Sequence, residues 1–281
     1  MRFLINLFYQ SYSQYMNSTT YHIAIPLPGK TTVEKVELAA LYLKPLTNRI
    51  NPVITFLAGG DNQNPGLNML DESVNAILES CGLNDTKMIK RDQPLEKILD
   101  DFCFEYKPNL IILGFEETET KKLNEIDQRI IENAKIPVMN IKGKNLNEKI
   151  RNVILPVALT DDYDMIIRKA IKVLKPFRNL NLHLVSVLFA ADAFTVNKAT
   201  QQLSVINNFL EQSDIKYTAE IINCLTPGEN KSDIVSDHIK RVNGDLIMLF
   251  KNQLISSEEF ILSNKMREII VKSSIPVLSF V

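Results

Sequence analysis

One phrase, written twice, restricts the fold more than any other feature of this chain. Ala134–Gly143 reads AKIPVMNIKG, and Ser273–Val281 closes the chain with SSIPVLSFV. Three further echoes keep the same order. HIAIPL at 22–27 returns as NVILPV at 152–157, an offset of 130. Leu-Lys-Pro at 43–45 returns at 174–176, an offset of 131, and NLIILG at 109–114 returns as DLIMLF at 245–250, an offset of 136. The closing phrase itself repeats at an offset of 139. Four echoes in order, with an offset that grows only by small insertions, read as a duplication. The length of 281 residues suits two domains of ordinary size.

Either half can then be read alone. Tyr21–Leu27 is a short Ile-rich apolar run ending at Pro28-Gly29, which predicts a buried strand and a turn. Thr31 and Glu34 have capping-box spacing, and Val33, Val36, Ala40, Leu41 and Leu43 follow helical spacing. Strands are expected at Pro52–Gly59, Thr86–Lys90, Leu110–Gly114 and Ile136–Ile141. Helices are expected at Leu67–Ser80, stopped by Gly82, at Leu95–Tyr106, stopped by Pro108, and at Leu123–Ala134. The order is βαβαβαβαβ. Strands that are apolar throughout, rather than alternating, imply burial on both faces. Helices between them imply parallel pairing through right-handed crossovers. Each half is therefore expected to be a doubly wound, five-stranded parallel α/β domain. The boundaries are 21–142 and 151–281, with the polar stretch Lys142–Glu148 (KGKNLNE) as linker and residues 1–20 as an extension.

Composition narrows the function classes. Hydrophobic residues make up 45% and charged residues 23%, enough to build cores. The net charge of −1 and the lack of any long like-charge run give nucleic acid and anionic lipid nothing to hold. No run approaches the ~18 apolar residues of a membrane helix. The opening MRFLINLFYQ carries only a short apolar patch, Phe3–Tyr9, and reads as a disordered or loosely docked extension. Met16 as the start and a cleaved export signal are the alternatives. Cys81, Cys103 and Cys224 show no metal-type spacing and read as reduced, buried thiols of a cytoplasmic protein.

With these residues in view, the chain resembles two universal stress protein domains in tandem. The resemblance rests on HIAIPL, LIILG and IIENAKIPVMNI in the first half, and on NVILPV, LNLHLVSV, DLIML and REIIVKSSIPVLSF in the second. It implies an adenine nucleotide alpha hydrolase-like fold with pseudo-twofold symmetry, in which strands 136–141 and 275–280 lie side by side. It also implies a possible ATP site in each half at the carboxyl ends of the strands. There an Asp ends the first strand, and a loop G-x2-G-x9-G-[S/T] follows the fourth. Glycines let the main chain approach phosphate oxygens and aim N–H groups at them, and the hydroxyl joins at a helix N-terminus.

Tested against that pattern, the sites are degenerate. The Asp maps to Pro28 and Ala158. In the first half Gly114 matches the opening glycine, Glu117 replaces the second, and Asn124 with Glu125 stands where Gly-Ser/Thr belongs. In the second half Phe250, Gln253 and Ser263 take the glycine positions and Asn264 the hydroxyl position. One position in ten survives, Gly114. Glu116, Glu117, Glu119 and Glu125 would repel a triphosphate, offset in part by Lys121 and Lys122. Asp161, Asp162 and Asp164 read as cap and dipole partners of a helix start.

Other chemistry is thin. His22, His183 and His238 read as structural, and AGGDNQNPG at 58–66 as a turn before a helix rather than a phosphate cradle. P-loop, GxGxxG and nucleophile-elbow motifs are missing. The expectation is a non-enzymatic, cytoplasmic stress-response protein that works through protein contacts, with no cofactor and no metal. The alternatives are an ATP or AMP binder acting through a rearranged loop near Gly114, and a small-molecule sensor using the second cleft, lined by Phe250 and Ala158.

Overall fold

The computed structural model describes residues 21–27, 40, 43, 52–59, 76, 79, 83, 86–115, 125–142, 150–157, 159, 163–175, 177, 179–189, 192–211, 213, 215–224, 231–251 and 268–281. Ten strands form one sheet. They are β1 (Tyr21–Leu27), β2 (Pro52–Gly59), β3 (Thr86–Arg91), β4 (Leu110–Phe115), β5 (Val138–Lys142), β6 (Asn152–Pro156), β7 (Asn181–Leu188), β8 (Lys216–Asn223), β9 (Leu246–Phe250) and β10 (Val277–Phe280). The order across the sheet is β3-β2-β1-β4-β5-β10-β9-β6-β7-β8. Every pairing is parallel except β5 with β10.

The helices are α1 (Leu95–Tyr106), α2 (Glu125–Asn133), α3 (Tyr163–Leu174), α4 (Ala193–Leu210) and α5 (Lys231–Arg241), with a further helical turn at 268–272. Successive strand residues feed opposite faces of the sheet. Ile23, Ile25 and Leu27 join α3 and α4 residues such as Ile166, Leu174, Ile206 and Leu210 in one core. Ala24, Leu57 and Ile111 join Leu95, Ile98 and Phe102 of α1, Ile130 of α2, and Ile270 in the other. Helices on both faces explain why these strands read as unbroken apolar runs.

The predicted ranges of β1, β2 and α1 coincide with the observed ones. The last strand of the first half begins at Val138 rather than Ile136, because Pro137 has no N–H for the ladder. Its carbonyl is still used, accepting from Ile111. Of the expected helices at 33–43 and 67–80, only Ala40, Leu43, Ala76 and Glu79 are described, and all four are helical. The capping pair Thr31 and Glu34, Gly82, the linker 143–148 and the extension 1–20 lie outside the described residues.

The same hydrogen-bond arrangement occurs at two places in the sheet. Asn109, just before β4, donates its N–H to the His22 carbonyl, and its Oδ1 accepts from the His22 N–H at 2.8 Å. Asp245, just before β9, donates its N–H to the Asn152 carbonyl, and its Oδ2 accepts from the Arg151 and Asn152 N–H groups, each at 2.9 Å. Two residues upstream, Lys107 and Asn243 both hold positive φ, 45° and 50°. Beyond the strands, Ile111 donates to Pro137 and Ile247 donates to Pro276. Each bracket ties the amino end of a first strand to its fourth-strand neighbour, which sets the register of the two central strands of that half.

β5 and β10, the two strands that carry the repeated phrase, pair antiparallel. Val277 faces Asn140, Leu278 faces Met139 and Ser279 faces Val138, so the register is centred on the Met139–Leu278 pair. All six residues are buried. Asn140 donates its side-chain N–H to the Val277 carbonyl, and Ser279 donates its hydroxyl to the Val138 carbonyl at 3.2 Å. Each strand thus contributes one polar side chain to the other's main chain. A slip of one residue would break both bonds and turn the two side chains toward the opposite core.

Val138 is fully buried at this seam. Val138→Asp should cost roughly 3–5 kcal/mol, since the carboxylate would have no partner there. The check is urea unfolding together with small-angle scattering; an unchanged midpoint and an equally compact profile would contradict the seam.

Candidate functional site

In a sheet of this winding, the crevice lies at the carboxyl ends of the strands, where strand order reverses. The reversals fall between β1 and β4 and between β6 and β9. Two of the predicted site residues are described there. Gly114 sits at the end of β4, half-buried and level with Ile141 of β5. Phe250 is the last residue of β9 and only 3% exposed. Its ring meets Phe280 of β10 at 5.3 Å between centroids, and the Lys169 amine of α3 lies 5.2 Å from the ring centre. The carboxyl end of β9 is thus closed by a packed ring under a cation. Pro28, Glu117, Asn124, Ala158, Gln253, Ser263 and Asn264 lie outside the described residues.

Two of the acids expected near the crevices are described, and both have basic partners. Glu125 opens α2 and sits 3.9 Å from Arg129 one turn on. Asp164, in the first turn of α3, accepts from Arg168 Nε at 2.9 Å. Both are exposed, so each pair contributes a few tenths of a kcal/mol at most.

Lys251, directly after Phe250, was not singled out from the sequence. Its amine donates to the carbonyl of Ala134, the residue that follows α2 in the other half of the chain. Burial pulls its pKa down to about 8. A cation at a helix C-terminus is favourable for the dipole, which offsets part of the burial cost. The only sequence signal is a lysine abutting an apolar strand, too common to be read as a contact.

The glycine-rich stretch 58–66 is described at its first two residues. A Cβ on Gly59 would lie 2.6 Å from the Gln93 carbonyl and 3.0 Å from the Leu95 N–H nitrogen. The end of β2 is therefore pressed against the start of α1, which gives Gly59 a packing reason that needs no ligand. Neither described cysteine is in a disulfide: Cys224 is buried, and the half-buried Cys103 thiol is pushed up to about 11 by burial and by Asp100. A thiol so rarely ionised is a poor nucleophile and a poor metal ligand. Among the described residues no group of three or more His, Cys, Asp or Glu could hold a metal ion, and no helix is long and apolar enough to cross a membrane.

Two of the three histidines converge, away from the crevices. His183 on β7 and His238 on α5 lie 6.5 Å apart at the opposite end of the second half's strands from Phe250. Thr218, Asn152, Glu220 and Arg241 complete this polar cluster.

With the topology in hand, comparison with solved structures decides the fold. A universal stress protein from Archaeoglobus fulgidus matches with a TM-score of 0.62 at 17% identity, over 92% of this chain and 95% of that one. This is a universal stress protein fold. A candidate universal stress protein from Pseudomonas aeruginosa matches with a TM-score of 0.65 at 13% identity, over 93% of this chain and 92% of that one. The cytoplasmic domain of a prokaryotic cation chloride cotransporter has a TM-score of 0.55 at 12% identity, over 92% of this chain and 95% of that one. No family model matches the sequence, and no curated protein does. At these identities the likeness is one of fold.

Two outcomes follow from the site geometry. Gly59→Ala should destabilise the protein by ~1–3 kcal/mol, read as a lower melting temperature, because the obstructing atom is main chain and cannot swing aside. Lys251 has a folded pKa of about 8 against 10.5 unfolded. Below about 8 both states are protonated and the depressed pKa confers nothing; as pH rises from there toward 10.5 the folded state gains stability, up to ~3 kcal/mol. Chemical denaturation of the native protein and of Lys251→Met across that range should show the gain in the first only. Parallel curves would contradict it.

Proposed function

We propose that this chain is a tandem universal-stress-type protein, two related domains of residues 21–142 and 151–281 joined through β5 and β10. In this reading it serves a stress response through protein contacts and catalyses nothing. The observation that carries the reading is Phe250, whose ring is built into the core at the position where a phosphate loop would need a glycine. The substitutions at Pro28, Glu117, Asn124, Ala158, Gln253, Ser263 and Asn264 support it from the sequence. The doubled bracket at Asn109 and Asp245 supports the duplication. Use of this fold as the cytoplasmic domain of a cotransporter fits a role exerted through a partner rather than through chemistry.

Gly114 favours a second reading, in which the first half binds ATP or AMP. It alone keeps the residue that lets main chain approach a phosphate, and Lys121 and Lys122 follow in the adjoining segment. The acids around it weigh against a triphosphate more than against a monophosphate.

Thermal unfolding with Mg²⁺ and ATP, AMP or neither separates the two. A ligand at 100 times its dissociation constant adds ~2.7 kcal/mol, several degrees for a chain of this size. The first reading expects no shift with either nucleotide at millimolar concentration. A shift with AMP that is abolished in Gly114→Val would favour the second.

A further inference from the structure

The cluster under α5 has a geometry that responds to protons. α5 lies on the face of the sheet that carries Asn152, Ile154, His183, Thr218 and Glu220, and His238 projects from its last turns into that face. His238 is 4% exposed. Arg241 holds it from the same helix, donating from one guanidinium nitrogen to His238 Nδ1 at 2.7 Å. The same nitrogen donates to both oxygens of Glu220 on β8, at 2.7 and 2.8 Å. α5 is thus fastened to the outermost strand by the Arg241–Glu220 pair, with His238 steadying Arg241 from within the helix. That steadying contact requires a lone pair on His238 Nδ1. The ring's one proton must then be on Nε2, which has no hydrogen-bond partner among the described residues.

We propose that His238, Arg241 and Glu220, with His183 behind them, form an acid-sensitive latch that fastens α5 to the sheet and releases it when His238 takes a second proton. Protonation at Nδ1 removes the acceptor that Arg241 uses and sets an imidazolium against a guanidinium. The other faces of the ring offer little relief. β7 presents His183, whose Nδ1 is engaged with the Thr218 hydroxyl at 2.9 Å and whose Nε2 is 3.4 Å from Asn152. β6 presents only the uncharged Asn152. On α5 itself, Asp237 and Lys240 pair with each other in solvent, 3.1 Å apart. From the turn at 268–272, Lys272 reaches Asp233 at the far end of α5 and is held by Glu268.

Among the described residues, Glu220 is the one charged side chain that favours the imidazolium, 3.7 Å from Nδ1, and it is already bound by Arg241. The helix C-terminus adds a smaller pull the same way. Burial, Arg241 and His183 oppose them, and the His238 pKa falls below its usual 6.5, burial being the largest cause. The sign follows. An opened α5 binds the proton more readily than a closed one, so closure is complete above about 6.5 and is lost as pH falls from there through the lower, closed-state value. Opening would uncover the apolar side of α5, Val235 and Ile239, and Ile154 beneath it.

The chain has only three histidines, so their imidazole resonances can be assigned and titrated individually by NMR in the full-length protein. The latch expects His238 to titrate below 6.5. It also expects the opening constant of α5 amides, from hydrogen exchange corrected for intrinsic rates, to rise as pH falls. The rise can reach at most about tenfold per pH unit and is confined to the window between 6.5 and the lower closed-state value, while the amides of α1 stay level. His238→Gln keeps an acceptor for Arg241 but cannot titrate, and should flatten the α5 response. A His238 pKa at or above 6.5 overturns the proposal, as does pH-independent exchange in α5. An equal rise in α1, which marks global unfolding, or an undiminished response in His238→Gln also overturns it. If that variant does not fold, the titration and the α5–α1 comparison in the native protein still decide.

Discussion

The antiparallel pairing of β5 with β10 is the contact on which the rest of the molecule depends. Each half alone would end in a short apolar strand with an open edge, an invitation to pair with whatever chain is nearest. Set against each other about the Met139–Leu278 pair, the two strands satisfy one another's main chain. They also close the two cores across a continuous sheet. Asn140 and Ser279 bring polar atoms into a layer that is otherwise apolar, a cost that makes sense as register control. Inward from that line, β4 and β9 are held by parallel ladders, and β1 and β6 by the brackets at Asn109 and Asp245. The crevices are consequences of this framework, since strand order must reverse beside β1 and β6.

Most of the framework was legible in the residues. Val, Ile and Leu runs bounded by Gly, Pro and Asn set β1, β2 and β4 to within a residue, because strands covered by helices on both faces have nothing polar to blur their limits. α1 was legible for a similar reason: Leu95, Ile98, Leu99 and Phe102 make a stripe with helical spacing, ended by the Lys107-Pro108 step. Less of the site could be read. Phe250 was recognised as a departure from the glycine pattern, but its packing on Phe280 and beneath Lys169 depends on three separate elements. Lys251 and the His183–His238 pair were missed for the same reason. Contacts between residues 251 and 134, or 183 and 238, exist only once strand order and register are known, and no periodicity in the chain encodes them.

The two ends of the second half's sheet divide its polar chemistry unevenly. At the carboxyl end of β9, two aromatic rings and two lysine amines are engaged in packing and in a main-chain contact. At the amino ends, histidine, arginine, glutamate and asparagine gather into one connected cluster. In a low-dielectric setting such a network is sensitive to the loss of any one link. The crevice end and this polar centre therefore lie at opposite ends of the same strands.

Joining both seam strands in one polypeptide has a kinetic and colloidal consequence. The local concentration of each strand around the other is set by the tether, so the pairing persists at any dilution and does not compete with neighbouring molecules. What remains outside are β3 and β8, whose exposed Lys87, Lys90, Arg91 and Lys216 are poor templates for another strand. Among the described residues, both outer strands of the ten therefore present charge rather than an apolar edge to a neighbouring chain.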